Sequence, residues 1–195
     1  MLLPSEDDLK GAVSSLNRLQ DVYQLNISEV ADGYLLGFPS PVLTMEDCHL
    51  LGKLSYDSHD FHHATMWHNV ALRRINAADE NNKNKDLTNK DTKVERSKVP
   101  QEYLDKYRLQ IIDTLIQSYY ALTNYTKVLP LLDEAIRRFP ADPKYKQNRN
   151  HVMELVKDKD KYGKKQTMDT LPEFHMHRYG YQAYDNFLTF AELCR

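Results

Sequence analysis

An all-α fold is what this sequence predicts, and three observations carry the prediction. Only 6 Gly and 8 Pro interrupt 195 residues, and the abundant Leu, Lys, Glu, Asp and Gln favour helix, the straight chains among them because they lose little rotamer freedom there. Apolar residues recur at helical spacing in several segments, as in Leu9, Val13, Leu16, Leu19 and Tyr23. Capping signals stand where those segments begin. With 41% apolar residues the chain can bury a core, and a formal charge of −2 provides no field to gather nucleic acid or an anionic membrane. Neither is expected as a partner.

The elements follow in order. "SEDDLKGAVSSLNRLQDVYQL" opens on Ser5 as an N-cap, with acidic residues in the first turn opposing the helix dipole. "NISEVADGYLLGFPSPVL" reads as a loop broken by Gly33, Gly37, Pro39 and Pro41, so residues 1–40 are one helix and a linker. "TMED" at Thr44 has the form of a capping box and starts a pair of antiparallel helices reaching the Ala77–Ala78 region. From Asp79 to Gln101 apolar residues almost vanish, which predicts a mobile polar insertion. "IIDTLIQSYYALTNYTKVLPLLDEAIRRFP" is a second helical pair and residues 145–158 a covering helix, closing a domain over 41–160. Residues 161–195 lack a sustained period and read as an irregular tail or linker.

The two pairs repeat one another. Gly52, Tyr56, Phe61, Ala64 and Ala71 in the first correspond to Tyr120, Tyr125, Val128, Ala135 and Pro140 in the second. Small residues where helices cross, aromatics beside them and a terminating proline form the tetratricopeptide pattern, here about two repeats plus a capping helix. In the second pair, Ile112, Leu115, Ile116 and Tyr119 make the core stripe. Asp113, Gln117 and Tyr120 lie opposite, as a solvated face or a binding face.

Catalytic signals are sparse. His59, His62, His63 and His68 cluster in "HDFHHATMWH", and His59 with His63 stand i, i+4, but no carboxylate completes a metal-binding pattern and hydrogen-bonded or solvated histidines are the expectation. "HMH" at 175–177 is read the same way. No phosphate loop or nucleophile motif occurs. Cys48 and Cys194 cannot make a disulfide framework, and Cys48 is expected as a small buried hydrophobe. "MLLPSEDDLK" reads as neither signal peptide nor membrane span, which on the residues alone leaves the chain in the cytosol. Asn26-Ile-Ser28 and Asn124-Tyr-Thr126 are glycosylation sequons that matter only on a secretory route.

"LPSEDDLKGAVSSLNRLQDVYQLN", "LTMEDCHLLGKLSYDSHDFHHATMWHNVALRRI" and "YDNFLTFAELCR" resemble the alpha subunit of collagen prolyl 4-hydroxylase, in a divergent form. The resemblance implies the end of an N-terminal dimerising region, then a tetratricopeptide-like domain that binds proline-rich, collagen-like peptide in polyproline II form. It also implies residence in the endoplasmic reticulum lumen, protein disulfide isomerase as partner of the full-length subunit, and iron(II), 2-oxoglutarate and ascorbate in a catalytic domain that follows the LCR stretch. "HMH" does not fit that domain's HxD pattern, so no catalytic residue, metal ligand or cofactor is expected in this chain, which reads as truncated and inactive alone. Cys194 would then lack the downstream cysteine that the resemblance implies as its partner.

Matched without gaps from Ile111 to Asn124, Asp113 and Tyr120 fall where the family has a peptide-contacting acid and a tyrosine, while Thr114 and Gln117 replace two more tyrosines. A short insertion near Pro140 puts Asn150 on the family's groove asparagine and Lys146 where arginine is usual, with Met153 and Val156 replacing further tyrosines. Losing four ring faces, each about 1 kcal/mol, weakens binding by several powers of ten. The expectation is a peptide-binding region of weak or altered specificity, on Asp113, Gln117, Tyr120, Lys146 and Asn150. The alternative is a helical-repeat adaptor that has lost collagen-peptide binding; a standalone histidine-centred enzyme has least support.

Overall fold

The computed structural model describes residues 5–88 and 99–161 of the chain. Helix α1, Glu6–Tyr23, starts on a complete capping box: Asp8 N donates to Ser5 Oγ at 3.2 Å, and Ser5 N donates to Asp8 Oδ2 at 2.7 Å. Those bonds hold the Asp8 carboxyl below its usual range. The segment read as a bare loop contains a short helix, α2 (Ile27–Ala31), capped by Asn26, and a two-stranded hairpin, β1 (Tyr34–Leu35) with β2 (Phe38–Pro39). Leu36 and Gly37 connect the strands at φ 52° and 85°, the left-handed pair that a two-residue hairpin requires. Leucine at the first of these positions is the signal that hid the turn.

Five longer helices follow: α3 (Met45–Asp57), α4 (Phe61–Thr88), α5 (Gln101–Ala121), α6 (Tyr125–Arg138) and α7 (Lys144–Lys161). Thr44 and Asp47 form the expected capping box of α3. Helix α3 packs on α4, α4 on α5, α5 on α6 and α6 on α7, so two hairpins are stacked and capped by a final helix. This is the tetratricopeptide-like architecture that the repeat pattern predicts. A Cβ on Gly52 would stand 2.8 Å from the His68 ring, which is why glycine occupies this helix crossing. Ala64, Ala71, Val128 and Ala135 are likewise buried at the crossings, around a core of Trp67, Ile75, Ile111, Leu115 and Leu132. Cys48 is buried, and burial pushes its thiol upward.

The polar stretch from Asp79 departs from expectation. It does not leave the fold at Asp79, because α4 continues to Thr88. The cause lies in α5, where Arg108 is fully buried and takes Asp79 and Asn76 as partners from α4. Glu134 of α6 stands 3.7 Å from the same guanidinium and also binds Arg138 at 3.0 Å. A buried cation demands acceptors, so Asp79, whose polarity suggested solvent, is held by the interior, while Glu80, Asn81 and Lys83 just beyond it are exposed.

A second polar junction joins α1 to the first hairpin. Asn17 donates to Ser55 Oγ at 2.9 Å and Asp60 Oδ2 at 3.0 Å, while its oxygen accepts from Trp67 Nε1 at 3.1 Å. His63 is buried, with Nε2 2.6 Å from Gln20 Oε1 and Nδ1 2.9 Å from Asp60 Oδ2. Gln20 in turn donates to Leu25 O at 3.0 Å. The histidine pair His59 and His63 is therefore divided: His59 sits in the turn before α4 at φ 59°, and His63 faces Gln20 and Asp60. "HMH" at 175–177, Cys194 and the tail from residue 162 onward lie outside the described residues.

Candidate functional site

The first helix of each hairpin and the covering helix, α3, α5 and α7, present one continuous face. On the α3–α5 side, Tyr56 donates its hydroxyl to Gln117 Oε1, and Tyr103 donates to Glu46. Tyr107 meets His49 edge-on, with ring centroids 5.4 Å apart. On the α5–α7 side, Asp113 accepts from Lys144 Nζ at 3.0 Å and from Tyr145 OH at 2.8 Å, and Tyr120 OH lies 3.2 Å from His151 Nε2. Residue pairs 46–103 and 56–117, like 113–144 and 120–151, advance together, so the three helices run parallel.

Helical geometry makes this face. Asp113, Gln117 and Tyr120 are spaced i, i+4, i+7 and fall on one side of α5, opposite the buried Ile111, Leu115 and Tyr119. Gln117 and Tyr120 are exposed and Asp113 is half-buried. Tyr120 forms one wall of an aromatic slot, with Tyr125 at 5.5 Å and His151 at 6.2 Å between ring centroids. Asp113 is already engaged at both oxygens. Although burial opposes it, the bond to Asp113 holds the Lys144 ammonium above its usual range, and burial followed by donation to Asp113 pushes the Tyr145 hydroxyl up to about 12. This cluster is a clasp between α5 and α7, with Asp113 as its shared acceptor.

On α7 the structure groups different residues from those the sequence suggested. Lys144 and His151 touch α5, and Asn148, at i+4 from Lys144, falls on the same line. Lys146 and Asn150 are exposed on roughly the opposite side of the helix. Met153 Sδ accepts from Arg149 at 3.0 Å, and Val156 packs on the core. Asp113, Gln117 and Tyr120 are thus brought together with Lys144, Asn148 and His151, and Lys146 and Asn150 are not brought to them. The missed signal was the spacing Lys144–Asn148–His151, which repeats that of Asp113–Gln117–Tyr120.

The resemblance implies iron(II) in the family's catalytic domain, and a metal of that kind needs converging His and carboxylate ligands. Among the described residues no three His, Cys, Asp or Glu side chains converge as a metal site, so these residues do not fit that group. Nor is any described helix long and apolar enough to cross a membrane.

Two stretches in the first half of the chain match family models. Residues 1–37 match the family described as prolyl 4-hydroxylase alpha-subunit, N-terminal region, and residues 45–91 match the prolyl 4-hydroxylase peptide-substrate-binding domain. The second match contains α3 and its groove-side Glu46, His49 and Tyr56. Prolyl 4-hydroxylase subunit alpha-1 of Caenorhabditis elegans is 29% identical over 146 residues, covering 74% of this chain and 22% of the relative. Subunit alpha-2 of the same organism is 27% identical over 161 residues, covering 82% and 26%. Subunit alpha-1 of Homo sapiens is 40% identical over 73 residues, covering 37% and 14%. The matched parts amount to 14% to 26% of the length of these relatives.

Proposed function

We propose, from the premise that this chain is related to the prolyl 4-hydroxylase alpha subunits over residues 1–37 and 45–91, that its repeats form a non-catalytic region binding proline-rich, collagen-like peptide. The observation that carries the proposal is the exposed Tyr120 ring of α5, beside His151 of α7 and the half-buried Tyr125 that opens α6. A polyproline helix docks by laying its rings on aromatic faces while side-chain donors meet its carbonyls. Tyr120 supplies a face and a hydroxyl. Gln117, whose oxygen is occupied by Tyr56, turns its amide donor to the peptide.

The affinity is set low by what has been exchanged. Thr114 and Gln117 offer no ring, and the Asp113 carboxylate is occupied by Lys144 and Tyr145 before any peptide arrives. The same exchange favours a second reading, an adaptor that keeps the fold and binds a different partner. By the resemblance alone, the endoplasmic reticulum lumen is the proposed location and protein disulfide isomerase the proposed partner of the full-length subunit.

The test is a titration with a (Pro-Pro-Gly)-type peptide followed through tyrosine chemical shifts. The expected result is saturable binding weakened about fivefold in Tyr120→Ala, the loss of roughly 1 kcal/mol of ring contact. Absence of binding at millimolar peptide overturns the proposal and leaves the adaptor reading.

A further inference from the structure

Building on the peptide-binding reading, we propose that the peptide is held at a second ring-binding patch, formed by Leu50, Tyr103 and Tyr107 on the α3–α5 seam. Leu50 is 42% exposed and Tyr103 37% exposed, large apolar groups left open, with Leu50 one helical turn beyond the Glu46 that accepts from Tyr103. The Tyr103 and Tyr107 rings are 4.9 Å apart and tilted. Glu46 accepts the Tyr103 hydroxyl, and His49 meets Tyr107 edge-on at 5.4 Å, so both rings are fixed before a ligand arrives. A preset aromatic pair, with exposed Leu50 one turn along α3 from Glu46, is a surface on which a ring can lie without ordering the protein further.

The spacing identifies the occupant. Tyr107 and Tyr120 share α5, and thirteen residues at about 1.5 Å each separate them by about 20 Å along its axis. A polyproline helix rises about 3.1 Å per residue and repeats every three, so two of its turns, or six residues, cover about 19 Å and return a ring to the same side. Between the patches the Gln117 amide, whose oxygen is held by Tyr56, supplies a donor for an intervening carbonyl. Ring, donor, ring is the pattern of one extended peptide with prolines six positions apart. Tyr107 stands on the α3 side of α5 and Tyr120 on its α7 side, so the peptide runs obliquely over the exposed face of α5 between them, and the α3 side of the patch lies in the stretch matched to a peptide-substrate-binding domain.

Three nine-residue peptides in an Ala/Ser/Gln background test this on the full chain by calorimetric titration: prolines at positions 2 and 8, at 2 and 6, and at 2 alone. Proline at 2 and 8 is expected to bind about tenfold tighter than either of the others. In Leu50→Ser/Tyr103→Ser that advantage disappears, and Tyr103→Phe, which keeps the ring, retains it. Equal affinity for the first two peptides, or an advantage that survives the double substitution, overturns the second patch. If binding then still depends on Tyr120, the parent reading stands without it; if neither these nor the (Pro-Pro-Gly)-type peptide bind, both fall.

Discussion

Replacing Asp79 by alanine leaves a guanidinium in the interior with its main counter-charge gone. Arg108 has no exposed surface, and burial, then the neighbouring Arg138, already press it toward losing its proton. Breaking a buried pair by removing one partner costs about 3–5 kcal/mol. Here Asn76 remains on the guanidinium and Glu134 is 3.7 Å away, which offsets part of the loss. The expected destabilisation is therefore about 3 kcal/mol. Urea unfolding followed by far-ultraviolet circular dichroism measures it, with Lys10→Ala as a reference, since the Lys10–Glu6 pair at 3.0 Å is exposed and screened by solvent. Asp79→Leu combined with Arg108→Met should recover most of the stability, because removing both charges also removes the uncompensated one. A loss below about 1 kcal/mol for Asp79→Ala, with an unchanged urea slope, refutes the argument that Arg108 holds the far part of α4 in the fold.

Two further outcomes are expected from the interior. His68 is fully buried, and burial first, then neighbouring His49, pushes its imidazole down to about 3. The unfolded chain therefore binds the proton more readily, and stability falls as pH drops from about 6.5 toward 3, by up to about 1.4 kcal/mol per pH unit. His68→Phe should flatten that slope in pH-dependent urea titrations; an unaltered slope would assign it to other groups. Asn17→Ala strands the Trp67 indole donor and unties Ser55 and Asp60, costing about 2–3 kcal/mol. Because the chain has a single tryptophan, a shift in fluorescence should accompany the loss, and stability and emission both matching the parent chain would contradict the role given to Asn17.

Much of the architecture was legible because it follows from local chemistry. Ser5 with Asp8 and Thr44 with Asp47 set helix starts through bonds three residues apart, and Gly52 with the alanines marked the crossings through size alone. The core side of α5 followed from the stripe of Ile112, Leu115, Ile116 and Tyr119, all buried. What escaped depended on partners distant in sequence. Asp79 belongs to the interior only because Arg108 lies 29 positions later, and Asn17 and Gln20 lie on a helix side whose partners come from α3 and α4. On α7, assignment turned on where a gap near Pro140 was placed. The contacts of Lys144 and His151 with α5 fix the orientation of that helix, and with it the different stations of Asn148 and Asn150.

The polar junction at Asn17 and His63 also has a mechanical meaning. A joint made only of apolar contacts can slide, because one greasy neighbour substitutes for another. The bonds from Asn17 to Ser55, Asp60 and Trp67, and from Gln20 to His63, accept only one register. Helix α1, 18 residues and so about 27 Å long, is thereby a rigid lever whose pivot is the turn between α3 and α4. A force or a partner acting at its Glu6 end is felt at that turn, and so at the first helix of the binding face, as torque rather than as slack.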